Sequence, residues 1–282
     1  TLDPTCSAVP LVKMVDTTTQ YETILKDSTA ILKRTCPFLY PTELVDEIDA
    51  WEERFDSLLG PAVRVYAYHE LLKREAQPVL TSLCTVEASL VESALFRLAI
   101  SSGALQPNMK KSMSISDMTA AKSRDGIDQI FSEVSAALRS SSGTTRPFLV
   151  GDQFTAADLT FASLASPLLD VPELQSLRQP GLEKFPANLQ ATAAVLGDTV
   201  AGEHALKCYQ TYRFATLSLD GMCPSVSVVG APPRQVRFRS GGPRNNALAL
   251  GAAAIAMVGV PCALAAWRRY SGRRRADGTG EI

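Results

Sequence analysis

The chain has 282 residues, of which 46% are hydrophobic and 20% are charged, and it contains 17 Gly and 17 Pro. These values are typical of globular proteins and exclude a wholly disordered chain, collagen and a coiled coil. Its 28 Lys and Arg residues against 29 Asp and Glu residues give a formal charge of -1. This balance excludes a nucleic-acid-binding surface that extends over the whole protein, so we expect no nucleic-acid partner.

The cysteines and histidines predict neither a metal site nor a catalytic triad. The six cysteines form no C-x-x-C motif, only two histidines are present, and there is no G-x-S-x-G motif. Scattered single cysteines suit a reducing compartment, in which they act as small hydrophobic residues. We therefore expect no metal cofactor.

The first 36 residues predict two strands followed by a helix. Residues 8–12 and 21–25 are the strand candidates, and a threonine-rich turn separates them. Asp27 and Ser28 are favourable N-cap residues, and the apolar run after them predicts a helix that ends before Pro37.

Residues 37–219 predict a helical domain. From Thr42 to Leu72, apolar residues recur at spacings of three and four with acidic residues between them, and a kink is expected at Gly60-Pro61. Further helices are predicted at residues 85–100, 116–138, 155–166 and 186–214.

The C-terminal region predicts a linker, one membrane span and a basic tail. Residues 220–246 are rich in Pro, Gly and Arg, whereas residues 247–267 are uncharged. If this stretch is a helix that rises about 1.5 Å per residue, its length matches a hydrocarbon core of about 30 Å. The alternative is a buried helix of the globular domain, which the separating linker disfavours. Residues 268–282 contain five arginines, and so short a tail predicts insertion after translation.

The segment before the predicted helix at residues 155–166 contains a capping box. Thr155 and Asp158 have the T-x-x-D spacing in which each side chain bonds a backbone N–H of the first turn, and Phe154 is the hydrophobic staple. Asp158→Ala is expected to cost about 0.5–2 kcal/mol through lost capping. A capping box is common and by itself indicates no function.

The full string at residues 146–161, RPFLVGDQFTAADLTF, resembles the C-terminal domain of cytosolic-type glutathione transferases. In that family the pattern FLVGD-x-FT-x-AD precedes a central buried helix. Further resemblances follow the family's order, at Val9-Pro10-Leu11, residues 27–32, Tyr40-Pro41, Phe185-Pro186 and residues 199–209. The resemblance covers residues 8–214. It implies a mainly α fold, in which a partial thioredoxin-like ββα unit (residues 1–36) precedes the family's helical bundle.

The resemblance also implies a glutathione site. The backbone of Val9 would pair with the cysteinyl unit beside cis Pro10, Asp27 would take the γ-glutamyl ammonium, and Ser28 with the helix N-terminus would take the carboxylate. The alternative is that Asp27 and Ser28 only cap a helix.

The family's electrophile pocket is lined by the second half of the long first helix, which implies pocket roles for Tyr66, Tyr68 and His69. Core packing or simple surface exposure is the alternative for these three residues. The electrophile itself is not indicated by the sequence.

The family's opening βαβα, with its catalytic Ser, Cys or Tyr, has no counterpart in these residues, so the catalytic residue is unknown. Weak glutathione binding and no turnover are expected from this chain. The resemblance favours a membrane-tethered glutathione transferase-like protein; the alternative is a non-catalytic protein-interaction module on a membrane surface. An intracellular channel is disfavoured because a dedicated span is already predicted.

The predicted topology places the globular domain in the cytosol. No secretory signal is recognised, the cysteines suit a reducing compartment, and the predicted span lies at the C-terminus. The basic tail resembles those of mitochondrial, plastid or peroxisomal outer-membrane anchors. Ala249 and Ala253 form a small-xxx-small pair, which is compatible with a homodimer or with chance.

Overall fold

The computed structural model describes residues 11–15, 22–86, 88–103, 105–139, 145–175 and 180–213. This part of the chain is mainly α-helical, as predicted, with one two-stranded hairpin. Val9, Pro10 and the predicted linker, membrane span and basic tail lie outside the described residues.

The hairpin pairs β1 (Leu11–Val15) with β2 (Glu22–Lys26) in antiparallel register, with Leu11 opposite Lys26. Residues 11 and 12 of the predicted first strand lie in β1, and residues 8–10 of that prediction lie outside the described residues. Helix α1 (Ser28–Thr35) comes directly after β2, as the sequence indicates.

The remaining helices follow in chain order. They are α2 (Val45–Arg54), α3 (Gly60–Leu71), α4 (Gln77–Cys84), α5 (Leu90–Ser101), α6 (Leu105–Ser112), α7 (Asp117–Leu138), α8 (Ala156–Ala165), α9 (Pro172–Gln175), α10 (Ala187–Gly197) and α11 (Val200–Tyr212).

Several elements differ from the sequence prediction: α5 begins at Leu90 rather than at residue 85, and α6 and α9 are not predicted. A π-helical turn (Phe55–Leu59) joins α2 to α3 immediately before the predicted kink, and such bulges are a known cause of kinks. The helix predicted at residues 85–100 is preceded by a separate one, α4, which has Pro78 in its first turn. The long helix predicted at residues 186–214 is two helices, because Thr199 caps α11 by accepting a bond from Gly202 N.

Helix α8 lies at the centre of the bundle, which confirms the prediction of a buried helix there. It packs against α2, α3 and α11, and Phe161 is fully buried. The Phe161 ring centroid lies 5.4 Å from the centroids of both Phe55 and Phe131. Three elements therefore meet in one aromatic core around α8.

The corner between α10 and α11 depends on a glycine. A Cβ atom at Gly202 would collide with the carbonyl group of Leu196 near the end of α10. The absence of a side chain at this position therefore lets the first turn of α11 approach the preceding helix closely.

Candidate functional site

Asp27 and Ser28 form a strained turn between β2 and α1. Asp27 has φ 87° and ψ 146°, a backbone region that residues other than glycine rarely occupy. Its Oδ1 atom accepts a bond from Ser28 N at 2.8 Å, and both residues are exposed. Strained positions of this kind cost about 1–3 kcal/mol and cluster at functional sites. Asp27 also caps α1, so helix capping, the alternative role for Asp27 and Ser28, accounts for part of the geometry of this turn.

Helix α1 contacts the bundle through a buried carboxylate. Glu52 on α2 accepts bonds through Oε1 from Thr29 Oγ1 at 3.4 Å and from Thr160 Oγ1 at 3.0 Å. Lys33 Nζ pairs with Asp49 Oδ2 at 2.7 Å. These contacts link α1 to α2 and α8, and so hold the Asp27 turn at the edge of the bundle.

The potential near this turn is negative. Partial burial and the charges of Asp27, Glu52 and Glu53 raise the pKa of Asp56 to about 6. Burial, followed by the charge of Glu52, also raises the pKa of the Tyr40 hydroxyl above its usual range. Carboxylates that lie close together create a negative potential, and this potential attracts cations such as a protonated amino group.

The structure does not bring Tyr66, Tyr68 and His69 together. The Tyr66 hydroxyl bonds Thr192 Oγ1 at 2.8 Å on α10. The His69 ring lies between Glu70 (3.0 Å) and Asp117 (2.9 Å). Tyr68 is buried, and it alone of the three lines the cavity described next.

A cavity of about 310 Å³ lies between α3 and the segment that follows α8. Its described lining is largely apolar, and the charged side chains among those described residues are Arg64 and Asp170. Arg64 Nε is buried and has no hydrogen-bond partner in the part of the chain that the structure describes. The volume of this cavity is near the lower end of the range for small-molecule sites. The Nε–H group of Arg64 can donate a hydrogen bond to a ligand. The cavity therefore suits a small apolar ligand that carries a hydrogen-bond acceptor. The apolar side chains are those of Val63, Ala67, Leu71, Leu83, Leu164 and Leu169, among others.

The capping box at Thr155 and Asp158 is present and fully buried. The Asp158 carboxylate accepts bonds from Thr155 N (3.0 Å), Thr155 Oγ1 (3.0 Å) and Leu149 N (2.9 Å), and its Oδ1 lies 2.9 Å from His204 Nε2. Burial and the charge of Asp158 raise the pKa of the Cys208 thiol to about 12. Such a site is inert, and its role is to join three chain segments.

Sequence reasoning missed Arg64, His204 and the buried state of Glu52. His204 lies within a segment that resembles the family, but no local pattern pairs it with a residue 46 positions earlier. Glu52 on α2 and Arg64 on α3 lie in amphipathic segments, where a charged residue normally indicates solvent exposure. Only the fold shows that Glu52 is buried and that the Nε atom of the half-buried Arg64 is enclosed.

Within the described ranges, no group of three His, Cys, Asp or Glu side chains is arranged to hold a metal ion. None of the helices in that part of the chain is both long and apolar enough to cross a bilayer. Comparisons with protein-family models, curated proteins and solved structures found no match to this sequence. The functional conclusion therefore rests on the residues and their geometry.

Proposed function

We propose that this chain is a glutathione transferase-like protein that binds glutathione at the start of α1 and is tethered to a membrane by residues 247–267. The fold we propose is the family's helical bundle preceded by part of its thioredoxin-like domain. The observation that carries the proposal is the turn at Asp27. A strained backbone presents an exposed carboxylate directly before a helix N-terminus, beside an antiparallel hairpin.

The two charged groups of the γ-glutamyl unit find complementary partners at this turn. The ammonium group binds the Asp27 carboxylate, and the neighbouring carboxylates, which together with burial raise the pKa of Asp56, favour this binding. The carboxylate binds the Ser28 hydroxyl and the N–H groups that follow Ser28 N in the first turn of α1. In the same proposal, the backbone of Val9, beside Pro10, pairs with the cysteinyl unit of glutathione. Tyr68 and the cavity beside α3 are the proposed electrophile-binding region.

Calorimetric titration with glutathione tests the site. Asp27→Asn keeps an N-cap of similar strength but removes the charge, so affinity should fall roughly 10-fold or more, as expected for a charge-assisted bond. Ser28→Ala should also weaken binding. Thr35→Ala is the matched control, because its hydroxyl bonds Ile31 O at the opposite end of α1. Unchanged affinity in Asp27→Asn would show that Asp27 only caps the helix.

The pH dependence offers a second test of the same site. As the pH falls below about 6, Asp56 takes up a proton and the negative potential at Asp27 weakens. Glutathione affinity should therefore fall between pH 7 and pH 5. Asp56→Asn, which is uncharged throughout, should bind more weakly at pH 7 and lose most of this dependence.

The second candidate is a non-catalytic interaction module, and the two buried thiols favour it. Burial raises the pKa of Cys84 to about 11, and burial with the charge of Asp158 raises that of Cys208 to about 12. Neither thiol supplies a reactive anion at neutral pH. Conjugation of a chloro-nitro aromatic distinguishes the candidates. Glutathione binding without a rate above the uncatalysed reaction favours the module, and clear turnover favours the enzyme.

The membrane tether and its topology are tested on organelles. Alkaline carbonate extraction should leave the protein in the pellet, and release would contradict a span at residues 247–267. Protease added to intact organelles should remove the helical domain and spare a small C-terminal fragment. Mitochondrial, plastid and peroxisomal fractions are the ones in which we expect the protein.

A further inference from the structure

Helix α5 exposes an unusual amount of apolar surface. Leu90, Val91, Leu95 and Leu98 are 91%, 69%, 49% and 66% exposed, and they are four of the eight large hydrophobic side chains exposed in the described residues. Scattered apolar side chains on a surface are normal, whereas a contiguous group marks an interaction site.

These four side chains and Ala94 form one face. At about 100° per residue they cover an arc of about 140° around the helix. The opposite side packs on the bundle through buried Ile100 and half-buried Phe96. We call Leu90, Val91, Ala94, Leu95 and Leu98 the apolar arc. A helix that is apolar on two opposite sides is normally covered on both.

A basic groove borders the apolar arc. It runs between α4 and α5 and is lined by Arg74, Arg97 and several hydroxyl groups, and none of the described residues in its lining is acidic. Both arginines are exposed, and neither forms an ion pair with another described residue. We call this the arginine groove. Guanidinium groups are well suited to bind phosphate oxygens.

We propose that the apolar arc of α5 lies in the surface of a bilayer and that the arginine groove binds the anionic headgroups beside it. An apolar helix face next to unpaired arginines is the composition of helices that lie in the plane of a membrane interface. A second copy of the chain fits less well, because an α5-to-α5 contact brings unpaired arginines of the same sign together. The inference deepens the proposed tether and rests on it for the presence of a bilayer.

This contact has a role that the tether alone does not supply. Residues 214–246 connect the last described helix to the predicted span, and 33 residues reach up to about 110 Å when extended. The length of this segment alone does not determine which face of the bundle meets the membrane. A second contact at α5 holds one defined face of the bundle against the lipid.

Tryptophan quenching by lipids with brominated acyl chains tests the contact in the full chain. Every variant carries Trp51→Phe and Trp267→Phe, which remove the two native indoles of the chain, the second of them in the predicted span. Leu95→Trp places an indole in the apolar arc, and Val195→Trp, at a 59% exposed position on α10, is the matched control. In anionic vesicles the Leu95→Trp fluorescence should fall at least about 2-fold more than that of the control. Equal quenching overturns the proposal.

The arginine groove is tested in the same assay. Arg74→Gln with Arg97→Gln should reduce the quenching of Leu95→Trp in anionic vesicles and leave it nearly unchanged in neutral ones. Equal losses in both vesicle types would refute the headgroup role. A blue-shifted Leu95→Trp emission without bromine quenching, together with a dimeric cross-link, would assign the apolar arc to a second copy instead.

Failure of this contact is distinguishable from failure of the tether. A protein that stays in the carbonate pellet but shows no quenching at Leu95→Trp has the span and lacks the α5 contact. A protein released by carbonate lacks the span itself. Quenching at Leu95→Trp in vesicles supports the α5 contact in either case.

Discussion

Helices α8 and α5 begin with the same kind of cap and have similarly apolar sequences, yet their surroundings differ. Thr155 and Asp158, the cap of α8, are fully buried at the centre of the bundle. Ser89 and Glu92, the cap of α5, are exposed, and the apolar arc of that helix faces solvent.

The hydrogen bonds of Asp158 and Glu92 show how the two caps differ. Asp158 bonds its own cap residue, Leu149 on the preceding loop and His204 on α11. Glu92 accepts a bond from Ser89 N within its own first turn. Water can replace the bonds of Glu92 but cannot reach those of Asp158. The same motif is therefore a tertiary contact at α8 and a local one at α5.

The largest expected effect is that of Asp158→Ala. It leaves two buried N–H groups and His204 without their acceptor, so the free energy of unfolding should fall by about 3–5 kcal/mol. This exceeds the 0.5–2 kcal/mol expected from capping alone. Urea titration measures the difference, with Asp158→Asn as the isosteric control. A loss below 1 kcal/mol would mean that the buried contacts contribute little.

The next effect is that of Thr155→Ala, which removes a buried hydroxyl bonded to Asp158. We expect a loss of about 2 kcal/mol in unfolding free energy, at the upper end for N-cap substitutions. Ser89→Ala is the matched change on α5. If both substitutions cost the same in urea titration, burial does not set the strength of the cap.

A smaller effect is expected for Glu92→Ala. Glu92 is exposed and bonds only within the first turn of α5, so the loss should be about 0.5–1 kcal/mol. Circular dichroism at matched urea concentrations measures it. Glu92→Gln, which retains an acceptor, should lie between the parent and Glu92→Ala.

The smallest effect is expected for Leu98→Gln in the apolar arc. Its side chain is mostly exposed, so the unfolding free energy of the detergent-solubilised protein should change by no more than about 0.5 kcal/mol. Phe161→Leu in α8 is the contrasting change and should cost clearly more, because it opens a cavity in the aromatic core. A large loss for Leu98→Gln would indicate that α5 is covered by protein.

The sequence predicts helices wherever a strong local signal exists. The apolar run after Thr155 predicts α8, and Ser116 with the periodic residues behind it predicts α7, each within one residue. The sequence does not predict the break between α10 and α11, because Asp198 and Thr199 interrupt no hydrophobic period.

The candidate site is less predictable than the fold. The composition at Asp27 and Ser28 indicates a cap, but no local pattern predicts the positive φ of Asp27. The three aromatic and histidine side chains on α3 are neighbours in sequence, yet their directions differ by about 100° per residue, so Tyr66, Tyr68 and His69 contact different partners. Proximity in sequence is a poor guide to convergence on a helix.

Gly202 has a consequence beyond its own corner. Helix α11 is a rod of 13 residues, or about 20 Å, that pivots where α10 ends. A side chain at position 202 would push the near end of this rod away, and a tilt of about 10° would move its far end by about 3 Å. That far end is Tyr212, whose ring stacks on Phe154 with a centroid distance of 4.0 Å. One hydrogen atom in place of a methyl group thus sets the direction of α11 and keeps the Tyr212 ring against Phe154.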